Sequence, residues 1–128
     1  MKRVTGIGGI FFKANNPKLM NEWYGKHLGL QPESDGAPVL LVWRELDHPD
    51  QIGRTVWAVF DKDTKYFEPS SAPFMINYRV DNLDRLLENL RAEGVQIDPK
   101  REDSEYGRFA WITDPEGNRI ELWEPPKE

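Results

Sequence analysis

PFMINYRVDNLDRLLENLRAEG, residues Pro73 to Gly94, reads as a strand that runs directly into a capped helix. Ile76, Tyr78 and Val80 alternate with Met75, Asn77 and Arg79, the period of two expected of a half-buried strand. Asn82 is an N-cap, Leu83, Leu86, Leu87 and Leu90 line one helical face, and Gly94 stops the helix. The same signals occur upstream in the same order. Gly8 to Ala14 reads as a strand and Asn15-Asn16-Pro17 as a cap with proline at the first helical position. Leu19, Met20, Trp23, Tyr24 and Leu28 then form the apolar face, and Gly29 ends the helix. The N-caps at 16 and 82 lie 66 positions apart, and the stop glycines at 29 and 94 lie 65 apart. A near-constant offset across strand, cap, helix and stop marks an internal duplication.

The segments downstream of the two helices match as well. The first half predicts strands over Leu30 to Glu33, Val39 to Glu45 and Thr55 to Phe60. The second predicts them over Val95 to Asp98, Gly107 to Thr113 and Arg119 to Glu124. Asp114-Pro115-Glu116-Gly117-Asn118 supplies the last hairpin turn. The reading is one α+β domain over residues 1–128, made of two tandem βαβββ modules with curved mixed sheets enclosing a cleft. Module 1 spans about 4–61, a linker 62–72, and module 2 about 73–124.

Composition narrows the partners. The chain has 128 residues, a net charge of −5 with both signs interspersed, and no cysteine. Disulfides and thiolate metal sites are excluded, and a reducing, cytoplasmic setting is expected. The charge argues against nucleic acid and anionic membranes as partners. No apolar run is long enough for a bilayer span, and none comes after Met1-Lys2-Arg3 that would make a signal peptide. Five tryptophans are more than a small core requires, so some are expected to line a cavity or an interface.

Strand parity assigns the faces. Ile10, Phe12, Ile76, Tyr78, Val80, Ile120 and Leu122 are expected against the helices. Phe11, Lys13, Met75, Asn77, Arg79, Arg119, Glu121 and Trp123 are expected toward the cleft, as is Trp57, and a bulge would reverse this locally. Parity does not settle the faces of Trp43 and Trp111, and core packing is the expected job of both.

The duplicated pattern resembles the vicinal oxygen chelate superfamily of glyoxalases, bleomycin-resistance proteins and extradiol dioxygenases. Three stretches carry the resemblance: Trp23 to Leu30 at the end of the first helix, Tyr78 to Asp84 at the second strand-to-helix junction, and Asp114 to Leu122 at the closing hairpin. Metal-using members hold a divalent cation in the cleft, with ligands from the first and last strands of each unit. By position, the resemblance places those ligands at Gly9, approximately Trp57, Met75 and Glu121. Only Glu121 could bind such a cation, so no metal and no cofactor is expected. His27 near a helix C-terminus and His48 in a polar turn are read as surface groups.

Glu121 is the candidate functional group, and two roles are open to it. It acts as a general base or ligand anchor, or it pairs with Arg79 or Arg119 and fills the space of a lost metal site. Phe11, Lys13, Trp57, Met75, Asn77, Arg79 and Trp123 have the composition of a ligand-binding wall, and equally of a filled cleft or a dimer contact. Lys65 to Glu68 and Tyr106 to Arg108 are loops that could border the cleft mouth, with surface turns the favoured reading. The expected function is metal-free binding of a small organic molecule, as in bleomycin-resistance proteins, by a homodimer. The rival is a small lyase or isomerase that uses Glu121 as base. A third possibility recruits a metal through Glu121 with His27 or His48.

Overall fold

The computed structural model describes residues 2–127. In chain order the elements are β1 (Val4–Ala14), α1 (Pro17–Leu28), β2 (Val39–Arg44), β3 (Ile52–Asp61), β4 (Phe74–Val80), α2 (Leu83–Ala92), β5 (Gln96–Ser104), β6 (Gly107–Thr113) and β7 (Arg119–Glu124). The caps form as the sequence requires. Asn16 Oδ1 accepts from the Leu19 amide and Asn82 Oδ1 from the Arg85 amide, each at 3.1 Å. Gly29 and Gly94 take the left-handed conformation past each helix, at φ 71° and 81°.

Among the described residues, seven strands form one open, curled sheet in the order β2-β3-β1-β4-β7-β6-β5. Its centre is the antiparallel pair β1–β4, flanked by the parallel pairs β1–β3 and β4–β7. The ladder is two-fold about the Ile10↔Ile76 pair. Phe11 pairs with Met75 as Gly9 pairs with Asn77, and Ile10 faces Trp57 as Ile76 faces Ile120. The duplication read from the helix caps is thus a structural two-fold axis through one sheet.

One expected strand is missing. Leu30 to Glu33 is irregular, so the first unit contributes three strands and the second four. Pro32 has no amide to give a ladder, and the Gln31 side chain instead packs against Gly25 of α1. Among the described residues, no strand takes the place beside β2 that would match β5.

A single rung crosses all seven strands through Val39, Trp57, Ile10, Ile76, Ile120, Ile112 and Ile97. These residues lie on the helix-bearing, convex face. Ile97, Ile112 and Ile120 pack against a buried cluster of Val80, Leu83, Leu86, Leu87, Ala110 and Leu122 under α2. Helix α1 is seated more lightly. Tyr24 meets Phe12 and Trp57, but Leu19, Trp23 and Leu28 remain exposed, and Gly25 is the helix's buried residue. The expected five-residue apolar face of α1 is therefore only partly used. Among the described residues, no helix is long and apolar enough to cross a membrane.

Candidate functional site

The concave face collects the side chains one residue out of phase with that rung. Leu40, Val56, Gly9, Asn77, Glu121 and Trp111 stand on one cross-strand row. Phe11, Phe67, Met75 and Trp111 form a second buried cluster, with Val56, Ala58, Phe60, Tyr66 and Phe109 packed around it. Register shifts in β1, before Gly6 and before Gly9, leave the parity of the site intact. The absence of a side chain at Gly8 and Gly9 opens the space that the Asn77, Trp123 and Phe11 side chains occupy. A Cβ on Gly8 would stand 2.2 Å from Asn77 Oδ1, and one on Gly9 would stand 2.7 Å from the Phe11 ring.

Glu121 is the polar centre of this face and is only 2% exposed. Asn77 donates to its Oε1 through Nδ2 at 2.6 Å, the Trp111 indole N–H donates to Oε2 at 3.0 Å, and the Tyr66 hydroxyl donates to Oε2 as well. A buried carboxylate needs such partners, because an unsolvated charge in a low-dielectric interior costs several kcal/mol. All three donors are neutral. Burial and the facing carboxylate push the Tyr66 hydroxyl well above the ordinary phenol range. Asn77 is also 2% exposed, and its Oδ1 accepts no hydrogen bond from the described residues.

The structure redistributes the expected site residues. Phe11, Met75, Asn77 and Glu121 come together on the concave face. Lys13 joins them at one end, its ammonium 5.5 Å from the centre of the Phe67 ring. Trp123 stands at the rim, stacked on Phe109 and donating its indole N–H to the Tyr106 carbonyl. Arg79 is drawn to the other end, where it binds Thr5 and Glu45 and lies over Trp43. It does not pair with Glu121, and neither does Arg119, which binds Asp98 and the Glu68 carbonyl. Trp57 has to be corrected outright. It packs on the convex face between Phe12 and Tyr24 of α1, and the concave positions of β3 are Val56 and Ala58. Of the two unassigned tryptophans, Trp111 belongs to the site, whereas Trp43 covers Gly6 and Gly53 and donates to Thr55.

Tyr66 and Phe67 belong to the candidate site, although the sequence favours a surface turn over a border of the cleft mouth for their segment. The segment between β3 and β4, a surface turn by its sequence, folds over the concave face, leaving Phe67 with no exposed surface. Adjacent aromatics in a polar linker are the one signal that could have exposed this. The middle of the cleft is therefore a closed aromatic slot. Surface depressions of about 300 and 450 Å³ lie elsewhere, between α2 and β5 and beside the C-terminal Pro125-Pro126.

A divalent metal does not fit these residues. The internal two-fold that carries Ile10 onto Ile76 carries Ala58 onto Glu121, since Phe11 faces Ala58 as Asn77 faces Glu121. The positions implied by the resemblance are thus Gly9, Ala58, Met75 and Glu121, of which one has a hard donor. That donor already accepts three hydrogen bonds. Among the described residues, no group of three or more His, Asp or Glu side chains is arranged to hold a cation. His27 packs on Trp23 along α1, and His48 sits in the turn closed by the Gln51 amide.

Comparison with known proteins agrees with this architecture. A methylmalonyl-CoA epimerase from Streptomyces coelicolor, solved with 2-nitronate-propionyl-CoA, superposes with a TM-score of 0.69 at 15% identity, covering 97% of this chain and 99% of that one. The methylmalonyl-CoA epimerase from Mycobacterium tuberculosis gives 0.61 at 20% identity, covering 99% and 92%. A glyoxalase/bleomycin resistance protein/dioxygenase superfamily member from Vibrio splendidus 12B01 gives 0.57 at 13% identity, covering 90% and 95%. At these identities the likeness is one of fold. No curated protein matches the chain by sequence. The sequence pattern of one family does match, over residues 7–122, nearly the whole duplicated sheet, and the chain belongs to that family, the Glyoxalase/Bleomycin resistance protein/Dioxygenase superfamily.

Proposed function

We propose that this protein binds a small, mostly apolar organic molecule on its concave face without metal, in the manner of a bleomycin-resistance-type binding or sequestering protein. One observation carries the reading. Among the described residues, Glu121 is the site's single buried carboxylate, and it stands among neutral donors and aromatic walls with no second ligand group for a cation. Such a constellation orients an organic guest through a few polar contacts and leaves the rest of the affinity to apolar contact. Screening by ligand-induced thermal shift tests it. A stabilising small aromatic molecule recovered chemically unchanged is the expected result, since a ligand that binds only the folded state raises its stability by mass action. Stoichiometric metal in protein purified without chelator would overturn it.

The rival reading is an isomerase-type enzyme, and the likeness to methylmalonyl-CoA epimerases favours it. Glu121 would then be the base that takes a proton next to a carbonyl. Against it, Oε2 of Glu121 already accepts from both Tyr66 and Trp111. A Glu121→Gln variant that keeps binding but loses turnover would establish the enzyme.

The homodimer is part of the same proposal. Leu40, Leu41 and Val42 are exposed on the bare edge strand β2, whereas the opposite edge, β5, is guarded by Pro99 and a run of charges. A second copy offers β2 the same apolar strand in return, as a two-fold contact requires. A monomeric mass by light scattering would remove this part.

A further inference from the structure

The ligand class can be narrowed by asking what now holds the centre of the slot. Two of the three donors to Glu121, Asn77 and Trp111, stand on β4 and β6 and are fixed by the sheet. The third, Tyr66, comes from the connecting segment between β3 and β4 and is only partly buried. Its neighbour Phe67 is the anchor, fully buried, and Arg119 grips the Glu68 carbonyl beside it. Rotating the Tyr66 side chain outward would therefore leave the segment's own attachment in place.

The Tyr66 ring describes a receptacle. It lies parallel to Phe60, with an interplanar angle of 7° and ring centres 5.7 Å apart, and meets Trp111 edge-on at 89°. That geometry suits a flat aromatic ring. The polar group that the Tyr66 hydroxyl meets is an acceptor, the Glu121 carboxylate. A guest must therefore bring a hydrogen-bond donor. A negative charge would meet buried Glu121 at close range. A positive charge would enter a rim already lined by Lys13 over Phe67 and by Lys100 and Arg119 over Trp111. Neutrality is what remains.

We propose that Tyr66 is a resident stand-in, and that the site's ligand is a neutral aromatic molecule whose hydroxyl displaces the Tyr66 phenol from Glu121. The inference rests on the binding reading above and adds the ligand class and the competitor. Tyr66 and the ligand exclude each other, so the measured affinity is reduced by the fraction of molecules in which Tyr66 is in place.

The probe is 4-methylphenol, the tyrosine side chain as a free molecule. It is titrated into the wild-type chain, Tyr66→Ala and Tyr66→Phe, and followed by calorimetry and by the NMR signals of the Trp111 indole N–H and the Asn77 amide. Both signals are expected to shift in the wild type. Tyr66→Ala should bind about tenfold tighter or more, because the competitor is gone. Tyr66→Phe, which keeps the ring without the hydroxyl, should fall between the two, and reads the same competition should Tyr66→Ala fail to fold. Toluene should bind at least about tenfold more weakly than 4-methylphenol, the worth of one hydrogen bond to a charged acceptor. 4-Methylbenzoate and 4-methylbenzylammonium should leave both signals unmoved. Binding to Tyr66→Ala with none to the wild type would mean an engineered cavity only and overturn the proposal, as would equal binding of toluene or of either ion. If the wild type takes up some other organic molecule that 4-methylphenol does not compete with, the ligand class fails and the binding reading stands. If it takes up none, both fail.

Discussion

A phenol pressed against a carboxylate in a buried place keeps its proton to higher pH than one free in water. Tyr66 is in that position, and burial together with Glu121 holds its hydroxyl well above the ordinary phenol range. Once the chain unfolds, the same hydroxyl returns to an ordinary value near about 10. The consequence for stability has a definite sign. Below about pH 10 both states keep the proton, and the contribution of the Tyr66–Glu121 contact is fully present. As the pH rises past that value the unfolded chain releases a proton that the folded chain retains, so stability falls progressively. Tyr66→Phe removes the titrating group. Urea midpoints measured from pH 8 to 11 should decline less steeply for Tyr66→Phe than for the wild type. Parallel declines would show that Tyr66 does not keep its proton in the folded state.

The two helices have similar caps and unequal seats. Leu83, Leu86 and Leu87 of α2 are buried in the cluster with Val80, Ala110 and Leu122, whereas Leu19 and Leu28 of α1 are about 60% exposed. Leu86→Ala should therefore cost about 2–5 kcal/mol and Leu19→Ala no more than about 0.5 kcal/mol, read from denaturant midpoints. Equal costs would mean that α1 is seated more deeply in solution. The caps, the stop glycines and most strand faces were legible in the sequence, because each depends on neighbouring residues of one element. Ile76, Tyr78 and Val80 on the helix side and Asn77 and Glu121 on the other follow from alternation alone. Trp57 was not legible. Val56-Trp57-Ala58-Val59-Phe60 is apolar at every position, so the run has no alternation to read, and its face is fixed by which residue meets Ile10. Leu30 to Glu33 misled because the duplication promised a strand where Pro32 and Gln31 make none. For Tyr66 and Phe67 the adjacent aromatics left a border of the cleft open but could not favour it over a surface turn, since the concave face they cover is assembled from strands of both units.

At the scale of the whole molecule, the question is what keeps the outer hairpin of the first unit bent toward the second. The β1–β4 ladder joins the units at the centre, but β2 and β3 reach the second unit through side chains as well. Arg79 on β4 binds Glu45, just past β2, and its guanidinium also donates to Thr5 at 2.8 Å and lies over the Trp43 ring. Both members of the Glu45–Arg79 pair are nearly buried, at 11% and 12% side-chain exposure. In such a place the desolvation already spent on two charges is repaid chiefly by their mutual attraction, and removing one partner strands the other. Glu45→Leu and Arg79→Met should each destabilise the chain by about 3–5 kcal/mol, whereas the double variant, with two apolar side chains of similar volume, should recover most of that loss. The pair spans the two units, so the coupling in this double-mutant cycle measures the link between them. Single variants costing under about 1 kcal/mol would show that the pair behaves as an exposed one, and would leave the β1–β4 ladder as the connection that holds the two halves together.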